Sequence, residues 1–489
     1  MKRSWPEHLD RAARFLWALT LVCLPITSFR YLVFMGKGAQ VQPLAMLPAA
    51  LLLLVLLLKS IRQRRLLVWN ASLVPLLAFL LVALVASAVG FFFAPLDLYD
   101  FTYSSRLLRA WVTLAVGLLF FLVALGMGRT ERDVNFSLKW LYVGIAGHIF
   151  WGAMQLLAFY ILRPYLNPPF NDIVDLIQRN VMVVGMSPNE RISGLALEPS
   201  WLAAQVTALY LPWAFTAVLK SYHWSKRAWL SGLILQGCVF LMLFTYSRSG
   251  ILTAALVVFA TFVLTGGRWM RQTWQWFTAP FRPSARGTEK RARQAILRAL
   301  VASGALGMVT VIALVLGRND YFATMWSALA DSKDPLDYLI NIYAGPRLAY
   351  AYAGWQVFAA HPWSGVGLGG LGLYLHAQLP AWSHFNMPEV AHYLASSNTT
   401  YPNSKNLYIR LLSETGIFGF WLFVSFYSFV LGKIVKLLRS VNKEVVFIGV
   451  AGLCSWLAIV LLGMSQDSFA MATIWIPLGL TLGLAEGRE

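Results

Sequence analysis

Charge is scarce in this chain. Only 12% of its 489 residues are Asp, Glu, Lys or Arg, about half the share found in soluble domains, which excludes a water-soluble fold. Acidic residues are scarcer still: 21 Asp and Glu stand against 40 Lys and Arg, a formal net charge of +19. Such an excess could point to nucleic acid, but membrane proteins carry it on cytoplasmic loops, and no nucleic-acid partner is expected. The three cysteines, Cys23, Cys238 and Cys454, all fall in apolar runs. Neither a disulfide framework nor a thiolate metal site is expected. A cleavable leader is not expected either, because MKRSWPEHLDRAAR is polar and the apolar run after it is as long as a full span. What the chain has is apolar surface: 58% hydrophobic residues and a mean hydropathy of +0.62.

Apolar runs long enough to cross a hydrocarbon core of about 30 Å recur along the whole sequence. They predict an all-α polytopic membrane protein with about twelve transmembrane helices, near 15–34, 41–58, 72–94, 110–127, 134–162, 200–219, 228–246, 250–266, 296–316, 406–432, 444–464 and 468–485. Basic residues orient them. KSIRQRR, GRTER, KSYHWSKR, the stretch 267–298 and KIVKLLRSVNK fall in alternate loops, so these loops and both termini are expected in the cytoplasm. The 267–298 loop reads as a solvated or lipid-headgroup-binding surface.

Two outer segments exceed ordinary helix connections: 163–199 and, above all, 317–405. The organisation expected is spans one to nine over 1–316, a large outer segment or lid over 317–405, and the last three spans over 406–489. In the lid, RLAYAYAGWQVFAA (347–360) reads as an amphipathic helix at the interface, and HPWSGVGLGGLG breaks it with glycines. His361 opens that turn and reads as structural. The halves show no inverted repeat, which argues against a secondary transporter.

Cations at the outer ends of spans run against the usual charge bias. Arg106 and Arg109 open the fourth span, Arg191 precedes the sixth, Arg248 the eighth and Lys405 the tenth. Each outer end is there a helix N-terminus, already positive. Arginines and helix N-termini together are the ingredients of a phosphate site. The plain alternative is that each cation reaches a lipid headgroup. Local company favours a site: Arg191 stands in NERISGLALEPSWLA with Glu198 at the span mouth, Arg248 in the tight turn TYSRSG, and Arg347 opens the lid helix. In NSKNLYIRLLSETGIFG (403–419), Asn403 or Ser404 can cap the helix, and Arg410 and Glu414 have the spacing of an ion pair.

RISGLALEPSWLA, TYSRSG, FAAHPWSGVGLGG and NSKNLYIRLLSETGIFGF occur in this order, with the large segment between the second and the last. Over about residues 180–425 the chain thereby resembles the O-antigen ligase and polymerase superfamily of bacterial inner-membrane glycosyltransferases. The resemblance implies a GT-C-like helical fold. It also implies transfer of a glycan from an undecaprenyl-diphosphate carrier at the periplasmic face, with no cofactor and no metal. The acceptor would be a lipid-linked repeat unit for a polymerase, or lipid A–core for a ligase. Arginines matching Arg191 and Arg248 would hold the diphosphate, with Arg347 a looser third.

One position departs from the family. Where it commonly has a histidine thought to activate the acceptor hydroxyl, this chain has Lys405, followed by Asn406 and Tyr408. A free lysine, titrating near about 10.4, is a poor base at neutral pH unless its surroundings lower that value. Lys405 is therefore either a perturbed base or a phosphate ligand. In the second case Glu198 is the preferred base, with His384 and His392 behind it. Lys-Asn and EPSW resemble polymerases more than ligases. A flippase for an anionic lipid-linked substrate would use similar cations, but would need them reachable from both sides. A membrane anchor with an outer recognition domain is the third reading.

Overall fold

The computed structural model describes residues 5–32, 41–63, 73–93, 102–157, 191–222, 227, 229–278, 288–384, 387–394 and 403–488. The expected outer stretch 163–190, residues 223–226 of KSYHWSKR and residues 279–287 of the basic loop lie outside them. Among the described residues the fold is helical, with a single isolated bridge, Ser28 to Gln42. Eight helices are long and apolar enough to cross a membrane, and Trp229–Phe244 and Ala472–Gly487 are shorter apolar ones. Helices are what the apolar runs must form, because only they satisfy every backbone polar group locally in lipid. The first run is displaced: its helix is Trp5–Cys23. Pro25, which has no N–H to donate, follows at once and ends it.

Burial sorts the spans. Pro199–Leu219 is 89% buried and Lys443–Leu462 72%, whereas Arg248–Thr265 is 22% buried and Arg298–Gly317 0%. The first two form the centre and the last two the rim. Ala472–Gly487 lies against Tyr103–Met127 at glycine contact distance: a Cβ on Gly479 would stand 2.7 Å from the Phe121 carbonyl. Phe79, Phe121, Phe423, Phe426, Phe469 and Trp475 make edge-to-face pairs beside this seam, a geometry that adds to their burial.

The glycine-rich turn packs into a break in a long helix. Leu407–Leu438 is two helices joined at Gly416, whose φ of 65° and ψ of −173° interrupt the spiral. The break leaves the carbonyls of Ser413 and Glu414 without their usual donors. Val366 N–H donates to the first and Gly367 N–H to the second, each at 2.9 Å, and Ile417 N–H donates to the Pro362 carbonyl. HPWSGVGLGG and SETGIFG are thus two halves of one joint. Tyr103 Oη donates to the Val366 and Ser87 carbonyls from the other side.

A Cβ on Gly416 would sit 2.1 Å from the Trp363 carbonyl oxygen, at a φ that side chains avoid. Gly416→Ala is expected to cost about 3 kcal/mol or more, from strain and overpacking together. Gly432→Ala, in the same helix with nothing within 4 Å, should be neutral. Thermal unfolding of the detergent-purified variants measures the difference.

The rest of the outer segment is ordered by short helices. Asp320–Asp331 and Pro335–Asn341 are capped by Asn319 and Asp334. Gly345–Ala360 contains the expected 347–360 helix. Tyr350, Ala353 and Val357 on it are buried, but Tyr352 and Trp355 are exposed, so its outer face is aromatic as well. His361 closes it, with the Gly365 N–H on its carbonyl.

Candidate functional site

Arg191 and Arg248 meet although 57 positions separate them in the sequence. The turn between Trp229–Phe244 and Arg248–Thr265 brings them together. Ser247 caps the second helix, accepting from Gly250 N–H, and the carbonyls of Phe244 and Thr245 point to the segment entering Pro199–Leu219. Ile192 N–H donates to the first at 3.0 Å and Arg191 Nε to the second at 2.8 Å. Both guanidiniums then lie over one aromatic ring, that of Tyr321, at 4.5 and 4.1 Å, a favourable cation–π geometry. Arg248 also donates to the carbonyls of Ile342, at 2.6 Å, and Tyr321. It thereby ties the outer segment to the bundle.

Arg347 and Glu198 complete this group electrostatically. Burial is the main influence lowering the Arg191 pKa from its ordinary value; Tyr321 and Glu198 oppose that shift, while the charges of Arg248 and Arg347 add to it. Two cations and one carboxylate therefore act on Arg191, an excess of positive charge suited to an anion. Glu198 stands at the N-cap of the helix that begins with Pro199, where a negative charge is stabilised. Its Oε1 accepts from Ser200 Oγ.

A second group surrounds Lys405. Asn406, not Asn403 or Ser404, caps the Leu407–Leu438 helix, its Oδ1 accepting from Tyr408 and Ile409 N–H at 3.0 and 3.1 Å. Ser404 is used instead within the turn, on the Asn406 backbone. The whole turn is latched to the 463–469 loop: Leu407 N–H to the Gly463 carbonyl, Asn406 Nδ2 to the Met464 carbonyl, Lys405 N–H to Asp467 Oδ2. Tyr408 Oη donates to the Val460 carbonyl at 2.7 Å. Arg410 and Glu414 form the expected i, i+4 pair at 2.9 Å, with side chains 5% and 1% exposed. Arg410 donates as well to the Asp467 carbonyl and lies over the Phe469 ring. At this burial, removing either charge alone would leave the other uncompensated.

The two groups are joined through the same loop, where Gln466 Nε2 reaches the Ser200 carbonyl at 3.5 Å. Arg106, one of the outer-end cations, donates to the Gly369 carbonyl and to Asn403 Oδ1, so it holds the glycine turn to the Lys405 segment. Arg109 lies within electrostatic reach of Arg410. His384 and His392 are exposed. They lie on the small elements Ala381–His384 and Pro388–Leu394, beside the cluster of Tyr350, Met387 and Val390.

Sequence reasoning missed four kinds of residue. Tyr321 follows the ninth span without any motif to single it out. Asp467 and Gln466 sit in a short connection. Asn406 was recognised, but not as the cap. His148, Gln155 and Gln205, all fully buried, did leave a signal: polar side chains in the middle of apolar spans are expensive.

Fold and site together define a polytopic helical membrane protein with clustered arginines where several helices begin. Residues 231–424 match the family described as O-antigen ligase, in line with the resemblance carried by the sequence motifs. The match takes in Arg248, Tyr321, Arg347, Lys405, Arg410 and Glu414; Arg191, Glu198 and the 463–469 loop lie beyond its limits. No curated protein matches the chain.

Proposed function

We propose that the protein moves a glycan from an undecaprenyl-diphosphate carrier to an acceptor sugar hydroxyl at the periplasmic face of the inner membrane, polymerising O-antigen or exopolysaccharide repeat units. The observation that carries this reading is the stacking of Arg191 and Arg248 on Tyr321, with Arg347 and Glu198 in electrostatic contact. In the transfer, the bond from the anomeric carbon to the phosphate oxygen breaks, and the diphosphate leaves with the electron pair. The acceptor oxygen bonds to the anomeric carbon and gives up its proton. The arginines stabilise the charge that develops on the leaving group, a role for which planar guanidiniums are suited. Lys405 serves as a further phosphate ligand. Glu198, beside the arginines, takes the acceptor proton. The charge of the basic loops supports cytoplasmic termini and a site on the opposite face.

The family description favours a second reading, a ligase that passes the glycan to lipid A–core. Turnover of a purified lipid-diphosphate repeat unit, with and without lipid A–core, separates the two. Chain growth without core is expected; transfer only to core would make the protein a ligase. Addition of a chelator should leave the rate unchanged, and strict dependence on a divalent ion would count against charge stabilisation by arginine alone.

A further inference from the structure

Residues 191–198 form no helix, yet their backbone is held almost atom by atom. Besides the Ile192 contact, Ser193 and Gly194 N–H both donate to Gln155 Oε1, at 3.1 and 2.8 Å. Leu195 N–H donates to His148 Nδ1 at 3.1 Å, and Leu197 N–H to Thr27 Oγ1 at 2.9 Å. His148 and Gln155 lie two turns apart on Glu131–Leu157, so both face the segment. A Cβ on Gly194 would stand 2.6 Å from His148 Nδ1, which leaves no slack between them.

The ring has only one workable orientation of protons. Leu195 N–H can only donate, so Nδ1 is bare and the proton sits on Nε2. Nε2 faces Gln205 Oε1 at 2.7 Å, and Gln205 Nε2 donates onward to the Leu24 carbonyl at 2.9 Å. Each member is satisfied in one direction, deep in the apolar bundle, where an unsatisfied group would be costly.

We propose that His148 is a positioning residue for the diphosphate site. Through Leu195 it sets the path of 191–198, and with it the separation of Arg191 from Glu198. The inference rests on the reading that Arg191 holds the donor diphosphate. His148 touches no substrate and acts only through this segment.

The test uses the purified full chain in lipid nanodiscs, with donor kcat/KM and the affinity for undecaprenyl diphosphate as readouts. In His148→Asn the amide oxygen occupies the place of Nδ1 and keeps the Leu195 bond. In His148→Gln the amide reaches toward Gln205 and abandons Leu195. A displacement of about 1 Å costs about 100-fold, so His148→Gln should fall by about that factor while His148→Asn stays within about 5-fold. In an Arg191→Lys background, His148→Gln should cost less than about 3-fold more, because it acts through the altered side chain. Equal losses in the two His148 variants, no loss in either, or a full loss in the Arg191→Lys background would each overturn the proposal.

Should His148→Gln fold poorly, Thr27→Val carries the same test. It removes the Leu197 acceptor at nearly constant volume. It should lower kcat/KM by about 10-fold in the native background and leave it unchanged with Arg191→Lys; the same loss in both backgrounds refutes the idea. If instead Arg191→Ala binds undecaprenyl diphosphate and turns over normally, the diphosphate reading itself fails, and the two failures remain distinct.

Discussion

Arg191→Ala and Arg248→Ala are each expected to abolish long-chain glycan while the protein still accumulates, folded, in membranes. In the proposed reading each removes one donor to a developing negative charge, a change worth about 100- to 1,000-fold in rate. The two should not behave identically on conservative substitution. Arg191 donates to the turn through Nε, and a lysine there keeps a cation near the Tyr321 ring. Arg248 donates through both terminal nitrogens to two carbonyls of the outer segment, which one ammonium cannot reproduce. Arg191→Lys should therefore retain partial activity and Arg248→Lys much less. Chain length on gels, normalised to folded protein by fluorescence-detected size exclusion, reads both. Near-normal chains from either alanine variant would refute a diphosphate site here.

Lys405 is the second position of large expected effect, and its backbone dictates how to test it. Its φ of 55° lies in the left-handed region, where a side chain costs about 1–2 kcal/mol that glycine escapes. Lys405→Gly and Lys405→Ala both remove the ammonium without adding strain, because the native lysine already carries its Cβ there, and Lys405→Gly relieves the cost as well. If the side chain binds phosphate, Lys405→Gly should lose about 100-fold and Lys405→Arg about 10-fold or less, since arginine supplies the same charge. If Lys405→Arg is as inactive as Lys405→Gly, and the acid limb of the pH–rate profile vanishes with it, the lysine is the base and Glu198 is not. The bond from Lys405 N–H to Asp467 uses the main chain and is available in every variant.

These expectations draw unequally on the sequence. The Arg410–Glu414 pair was legible because it is local: one helical turn brings i and i+4 together whatever surrounds them. The outer-end cations were legible because charge bias across a membrane is read along the chain. The cap was misplaced by two or three residues, because several adjacent polar residues can cap and only the bonds to 463–464 decide among them. Tyr321 and Asp467 carry no local signature at all. Their roles exist only once Arg191, Arg248 and Lys405 have been brought to them by distant contacts.

The helices themselves the sequence determined alone, because lipid offers the backbone no other partner and each apolar run must close its own hydrogen bonds. The joint at Gly416 needed the tertiary structure. Its glycines announce unusual backbone angles, but not that the carbonyls freed in one segment are taken by amides 47 residues upstream in another. The same holds for the site: the arginines stand in the sequence, and packing alone placed two of them on one ring. Hydrogen bonds within a helix are local and can be read in order, whereas those between segments depend on which surfaces meet.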